Sequence, residues 1–65
     1  MKLKINGDVK DVEAGNLAEV LNQFGLTERP VIVEWEGDII PRERWKDTPL
    51  TPGGQLEIVQ FIGGG

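Results

Sequence analysis

Only one segment of this sequence carries a clear helical period, and it is too short to stand alone. Asn16 is a favoured N-cap residue, and Glu19 follows three positions later as in a capping box. Leu17, Val20, Leu21 and Phe24 then fall at the spacing of one helix face, while Ala18, Glu19, Asn22 and Gln23 point away. Gly25 is placed to end the helix in a left-handed cap, with Leu26 folding back onto the last turn. A helix of roughly two and a half turns does not persist in water without a packing partner. The rest of the chain must therefore supply a surface for it.

That surface reads as a sheet. Met1, Leu3 and Ile5 alternate with Lys2 and Lys4, and Asn6-Gly7 follows as a hairpin turn. The return strand is expected over 8–13. Beyond the helix, 31–36 reads as a strand with Val31, Val33 and Trp35 inward and Ile32, Glu34 and Glu36 outward, ended by Gly37. Asp38-Ile39-Ile40 is a brief strand stopped by Pro41, 42–46 fits one helical turn anchored by Trp45, and 51–54 is a turn into a last strand over 55–62. A hairpin, a helix and further strands make an α+β fold with a mixed sheet and the helix on one face. With the first and last strands side by side at its centre, this is the β-grasp arrangement of ubiquitin. Residues 1–62 form the expected domain and 63–65 a flexible C-terminal glycine tail.

Size and composition narrow the function. A domain of 65 residues removes only roughly 60% of its unfolded surface from water, leaving little room to enclose a substrate. The sequence has no Cys, His or Tyr, which excludes a zinc or iron–sulfur centre, a disulfide framework and the usual nucleophile–base pairs. A formal charge of −4 argues against binding a phosphate backbone, so no nucleic-acid partner is expected. No apolar run approaches the ~20 residues that span a bilayer, and the N-terminus lacks the apolar core of a signal peptide. A cytoplasmic chain, monomeric when free and independent of any membrane, is the expectation.

The informative feature is the C-terminus, where Leu56 to Ile62 runs directly into Gly63-Gly64-Gly65. Glycine has no side chain to pack and the most backbone freedom to lose, so an unstructured tail is expected. Three extended residues reach about 10 Å, enough to enter a narrow channel in a neighbouring protein. What arrives there is the Gly65 α-carboxylate, with no Cβ near it to obstruct attack. A carboxylate is a poor acyl donor because oxide is a poor leaving group, and activation as an acyl-adenylate would supply a better one. Fraying also leaves glycines at a terminus. What favours the chemical reading is that these glycines directly follow the last strand of a ubiquitin-sized pattern.

Five segments resemble the ThiS family, the sulfur carrier proteins of thiamin biosynthesis. They are Lys4-Ile5-Asn6-Gly7, the helix segment 17–21, Val31-Ile32-Val33-Glu34, the run Ile39-Ile40-Pro41-Arg42-Glu43-Arg44-Trp45, and 57–65. Together they cover most of the chain, and the run 39–45 is the most discriminating. Gly54 departs from the family pattern, which often places an acidic residue in this turn. The resemblance implies a protein co-substrate, not an enzyme. An E1-like adenylating enzyme of the ThiF type would use ATP and magnesium to adenylate Gly65, so no cofactor or metal is expected on the carrier itself. Sulfur drawn from cysteine by a desulfurase would replace AMP to give a thiocarboxylate, and a thiazole synthase of the ThiG type would accept the sulfur. Gly63 and Gly64 would thread the partner's channel.

Docking needs a surface, and Val59 and Phe61, with Ile32 on the neighbouring strand, are expected to form an exposed apolar patch beside the tail. The alternative is that Phe61 folds over the sheet edge and Ile32 lies under the 42–46 turn. Trp35 and Trp45 read as core anchors. Arg42, Arg44 and Lys46 are interleaved with Glu43 and Asp47 and read as a solvated surface, as does the acidic run Glu34, Glu36, Asp38. Three competing functions share parts of this pattern. They are a carrier of another sulfur pathway such as the molybdopterin type, a ubiquitin-like modifier joined through Gly65 to a lysine, and an interaction module with an incidental tail.

Overall fold

A computed structural model of the protein describes residues 1–61. The expected architecture is present. Strands β1 (Lys2–Ile5) and β2 (Asp8–Asp11) form the hairpin, α1 (Leu17–Gln23) follows, and β3 (Val31–Trp35) and β4 (Asp38–Ile39) form a second hairpin. A 3-10 helix (Arg42–Asp47) then leads to β5 (Gln55–Gln60). The sheet order is β2-β1-β5-β3-β4, with β1 and β5 parallel and the other pairs antiparallel. The last strand is therefore central, flanked by the first strand on one side and by β3 on the other.

The period-two pattern sorts the two faces. Leu3, Ile5, Val33, Trp35, Leu56 and Ile58 are buried and meet Leu17, Val20 and Leu21 of α1, with Val12, Trp45 and Leu50 closing the core. The helix is capped at both ends by the groups its sequence supplies. Asn16 Oδ1 accepts from the Glu19 N–H at 2.9 Å, and the Glu19 carboxylate accepts from the Gly15 N–H at 2.6 Å, one residue earlier than in the usual reciprocal box. At the other end the Gly25 N–H bonds Asn22 O at 3.0 Å and the Leu26 N–H bonds Leu21 O at 2.8 Å, a Schellman pair with Gly25 at φ +71°.

Several expectations change. Phe24 is the C-cap of α1 and is exposed, because the chain turns away before its side chain reaches the sheet. The return strand stops at Asp11, and Val12 turns into the core where the Val12 N–H bonds Met1 O. β3 ends at Trp35, and Glu36 and Gly37, at φ +51° and +86°, make the turn into β4. Val31 is only half-buried. β5 ends at Gln60, and the expected strand residue Ile62 lies outside the described residues.

Gly54 has a direct physical explanation. It is buried, and a Cβ there would press into the Trp35 indole, 2.7 Å from Cζ2. Trp35 occupies the space that a side chain at 54 would need. The departure at this turn is thus coupled to a large aromatic residue on β3.

Candidate functional site

The end of β5 gathers the residues that sequence reasoning singled out for docking. Ile32 and Val59 are direct cross-strand partners, and they are 39% and 51% exposed. Phe61, 53% exposed, follows Val59 by two positions and donates its N–H to Pro30 O at 3.0 Å. Alternation along β5 places Val59 and Glu57 on the face opposite Leu56 and Ile58, away from α1. Phe61 does not fold out of contact with water, and the 3-10 helix leaves Ile32 partly exposed. Gly63, Gly64 and Gly65 lie outside the described residues.

Register adds one residue to this face that local sequence did not assign to it. Ile39, 67% exposed, pairs with the outward Glu34, so it extends the apolar surface across β4. Glu34 also stands directly opposite Glu57 on β5. Two carboxylates in that relation repel one another. Among the described residues the ion pairs are Asp11 with the N-terminal amine at 3.4 Å and with Lys2 at 3.9 Å, and neither compensates the glutamates. The acidic run divides: Glu34 joins Glu57 beside the apolar patch, Glu36 sits in a turn, and Asp38 pairs with Trp35.

Asn6 holds the same strand from the other side. β1 turns away after Ile5, but the Asn6 carboxamide continues its ladder, accepting from the Ile58 N–H at 2.7 Å and donating to Ile58 O at 3.2 Å. The side chain stands in for the next peptide group. Asn6 adopts φ +50°, which asparagine tolerates better than most residues. The Asn-Gly turn signal located this residue, but nothing local pointed to a partner 52 positions away.

Arg42 is not a freely solvated charge. Its guanidinium lies 4.6 Å from the centroid of the Trp45 ring and donates to the carbonyls of Thr27 and Arg29. Trp45 is buried, and its Nε1–H donates to Ile40 O at 3.0 Å. Among the described residues no three acidic side chains converge as a metal site, and no helix is long and apolar enough to cross a membrane.

Compared with known proteins, the chain matches the model of the ThiS family over residues 3–65. It is 38% identical to the "Sulfur carrier protein ThiS" of Bacillus subtilis (strain 168), covering 97% of this chain and 98% of that one. It is also 39% identical over 66 aligned residues to a "Thiazole synthase" of Paramagnetospirillum magneticum (strain ATCC 700264 / AMB-1). That alignment takes in all of this chain but only 20% of the relative, so the chain spans about a fifth of that protein's length. The crystal structure of a thiamine biosynthesis protein (ThiS) from Geobacter metallireducens superposes with a TM-score of 0.82 at 30% identity, over 100% of both chains. The fold, the family model and the end-to-end similarity to a relative of the same length agree: this chain belongs to the ThiS family.

Proposed function

We propose that the protein is the sulfur carrier of thiazole formation in thiamin biosynthesis, a co-substrate and not a catalyst. The observation that carries this reading is the family match, which runs through the glycines to residue 65, joined to a similarity spanning nearly the whole of a sulfur carrier. Two features of the fold support it. β5, which leads into those glycines, is held on both sides in the sheet, and an apolar patch of Ile32, Val59 and Phe61 adjoins its end.

The proposed cycle begins with attack of the Gly65 carboxylate on the α-phosphorus of ATP, giving an acyl-adenylate and pyrophosphate. An E1-like enzyme of the ThiF type supplies ATP, magnesium and the cationic groups that stabilise the charge developing there. A sulfur nucleophile derived from cysteine through a desulfurase then attacks the acyl carbon, and AMP departs with the bonding electrons. The nucleophile is the terminal sulfur of a persulfide, so the acyl group is first joined to its donor by an S–S bond; a thiol then attacks the donor-side sulfur, forming a disulfide with it and leaving Gly65 as a thiocarboxylate. A thiazole synthase of the ThiG type takes up that sulfur, and water restores the carboxylate. Gly63 and Gly64 thread the partner's channel, while Ile32, Val59 and Phe61 dock. The similarity of this whole chain to one-fifth of a thiazole synthase supports a carrier and a synthase that work on one reaction. The setting proposed is cytoplasmic, with the free carrier monomeric.

Intact-mass measurement tests this. The chain is incubated with an activating enzyme of this class, ATP, magnesium, a desulfurase and cysteine. Replacement of one oxygen by one sulfur is expected, and deletion of Gly65 should abolish it. An unchanged mass with an enzyme set that is active on another carrier would refute the proposal.

A further inference from the structure

The run from Pro41 to Trp45 is tied to the end of β5 through a short series of contacts. Arg42 stacks on Trp45 and donates through Nη1 to Thr27 O and through Nη2 to Arg29 O, the latter at 2.7 Å. Arg29 immediately precedes Pro30, and Pro30 O accepts from the Phe61 N–H at 3.0 Å. The register Val31 with Gln60 places Pro30 opposite Phe61. Facing residues at such a position in an antiparallel ladder normally exchange two bonds. Proline has no N–H, so the second bond cannot form. Phe61 is therefore held on this side only as firmly as Pro30 is placed. Pro30 ends a turn segment, 27–30, that belongs to no strand or helix.

We propose that Arg42 is a positioning residue for the acyl tail. Clamped on Trp45, it fixes segment 27–30, so that Pro30 fixes Phe61, the last described residue before the tail. The guanidinium suits this role because its planar fork reaches two carbonyls while its face lies on an indole. A lysine ammonium offers neither the fork nor the face. The function assigned to the clamp rests on the carrier reading above.

The test uses the full chain with Arg42→Gln and Arg42→Lys. Three quantities are measured: urea stability, amide exchange at Phe61 with Ile58 as internal reference, and ATP–pyrophosphate exchange by a ThiF-type enzyme at varied carrier concentration. Misplacement of a reacting group by about 1 Å can cost up to about 100-fold in rate, and a loosened root should cost part of that. The expected result for both variants is Phe61 exchange faster by about 10-fold with Ile58 unchanged, kcat lower by about 5- to 10-fold, and KM within about 2-fold. Unchanged Phe61 exchange, or recovery by lysine, would overturn the clamp. So would equal acceleration at Phe61 and Ile58, which would mark general destabilisation. A raised KM with kcat retained would make Arg42 a docking contact instead. If the wild-type chain supports no pyrophosphate exchange, the carrier reading fails and the proposed role with it, while Phe61 exchange still decides whether the clamp exists.

Discussion

Removing the Asn6 carboxamide should be among the most damaging changes outside the apolar core. It leaves the Ile58 N–H and carbonyl on the central strand without their partners, at a residue only 9% exposed. Two net hydrogen bonds of about 1 kcal/mol each give a loss of about 2 kcal/mol, before any extra cost for a donor left shielded from water. Asn6→Ala adds strain of about 1 kcal/mol, because the backbone sits at φ +50°. Asn6→Gly avoids that strain but loosens the unfolded chain by up to about 1 kcal/mol, so its total loss should be about 2–3 kcal/mol. Asn6→Asp keeps the acceptor for the Ile58 N–H and turns an oxygen toward the Ile58 carbonyl, with an intermediate loss of about 1 kcal/mol expected. A domain of this length has roughly 3–10 kcal/mol in all. Equilibrium urea unfolding is the assay, and with a slope of about 1 kcal/mol per molar the Asn6→Gly midpoint should fall by about 2–3 M. A loss of about 1 kcal/mol or less for Asn6→Gly is what glycine alone would cause, and it would refute the claim that the carboxamide extends the ladder.

Gly54→Ala should destabilise by about 1–3 kcal/mol through overpacking against Trp35, and Trp35→Leu should recover much of that loss in a double-mutant cycle read by thermal or urea unfolding. Additive losses would show that the two positions are not coupled. Glu57→Gln removes the charge facing Glu34 and should raise stability by about 0.2–1 kcal/mol in the same assay. It should also slow association with a basic partner surface, more at low salt than at high, in stopped-flow binding. Phe61→Ala and Val59→Ala should leave the unfolding midpoint nearly unchanged, since both side chains are about half exposed. Each should nevertheless weaken binding of the activating enzyme by about 1–2 kcal/mol in calorimetric titration, and unaltered binding would remove the patch from the docking surface.

What the sequence disclosed and what it withheld differ in range. Period-two alternation placed Leu3, Ile5, Val33 and Trp35 in the core, and the signals at Asn16 and Gly25 bounded α1 to within two residues. Each of those inferences needs only neighbours within one element. Phe24 failed at the limit of this logic: helical spacing predicts a face only while the helix lasts, and the Schellman turn begins where Phe24 would need another turn. The patch of Ile32, Val59 and Phe61 was legible because outward positions on adjacent strands share a face whatever the register. The opposition of Glu34 and Glu57 was not, because a shift of two residues keeps both faces and would have set Glu34 against Gln55 or Val59 instead.

The features joining distant parts of the chain were invisible for a related reason. Asn6 and Arg42 belong to residue types whose local roles are ordinary, a turn and a solvated charge. Their partners, Ile58 in one case and the carbonyls of Thr27 and Arg29 in the other, exist as partners only once the sheet is assembled. Both sets of contacts bear on the last four described residues. Asn6 fixes β5 at Ile58 from the β1 side, and Pro30, held in place through Arg42 and Trp45, fixes it at Phe61 from the β3 side. A strand buried at the centre of the core would keep its middle in place without either. The two contacts lie in its C-terminal half and just beyond it, at Ile58 and Phe61, so the Asn-Gly turn and Arg42 of the run 39–45 act on the same end of β5.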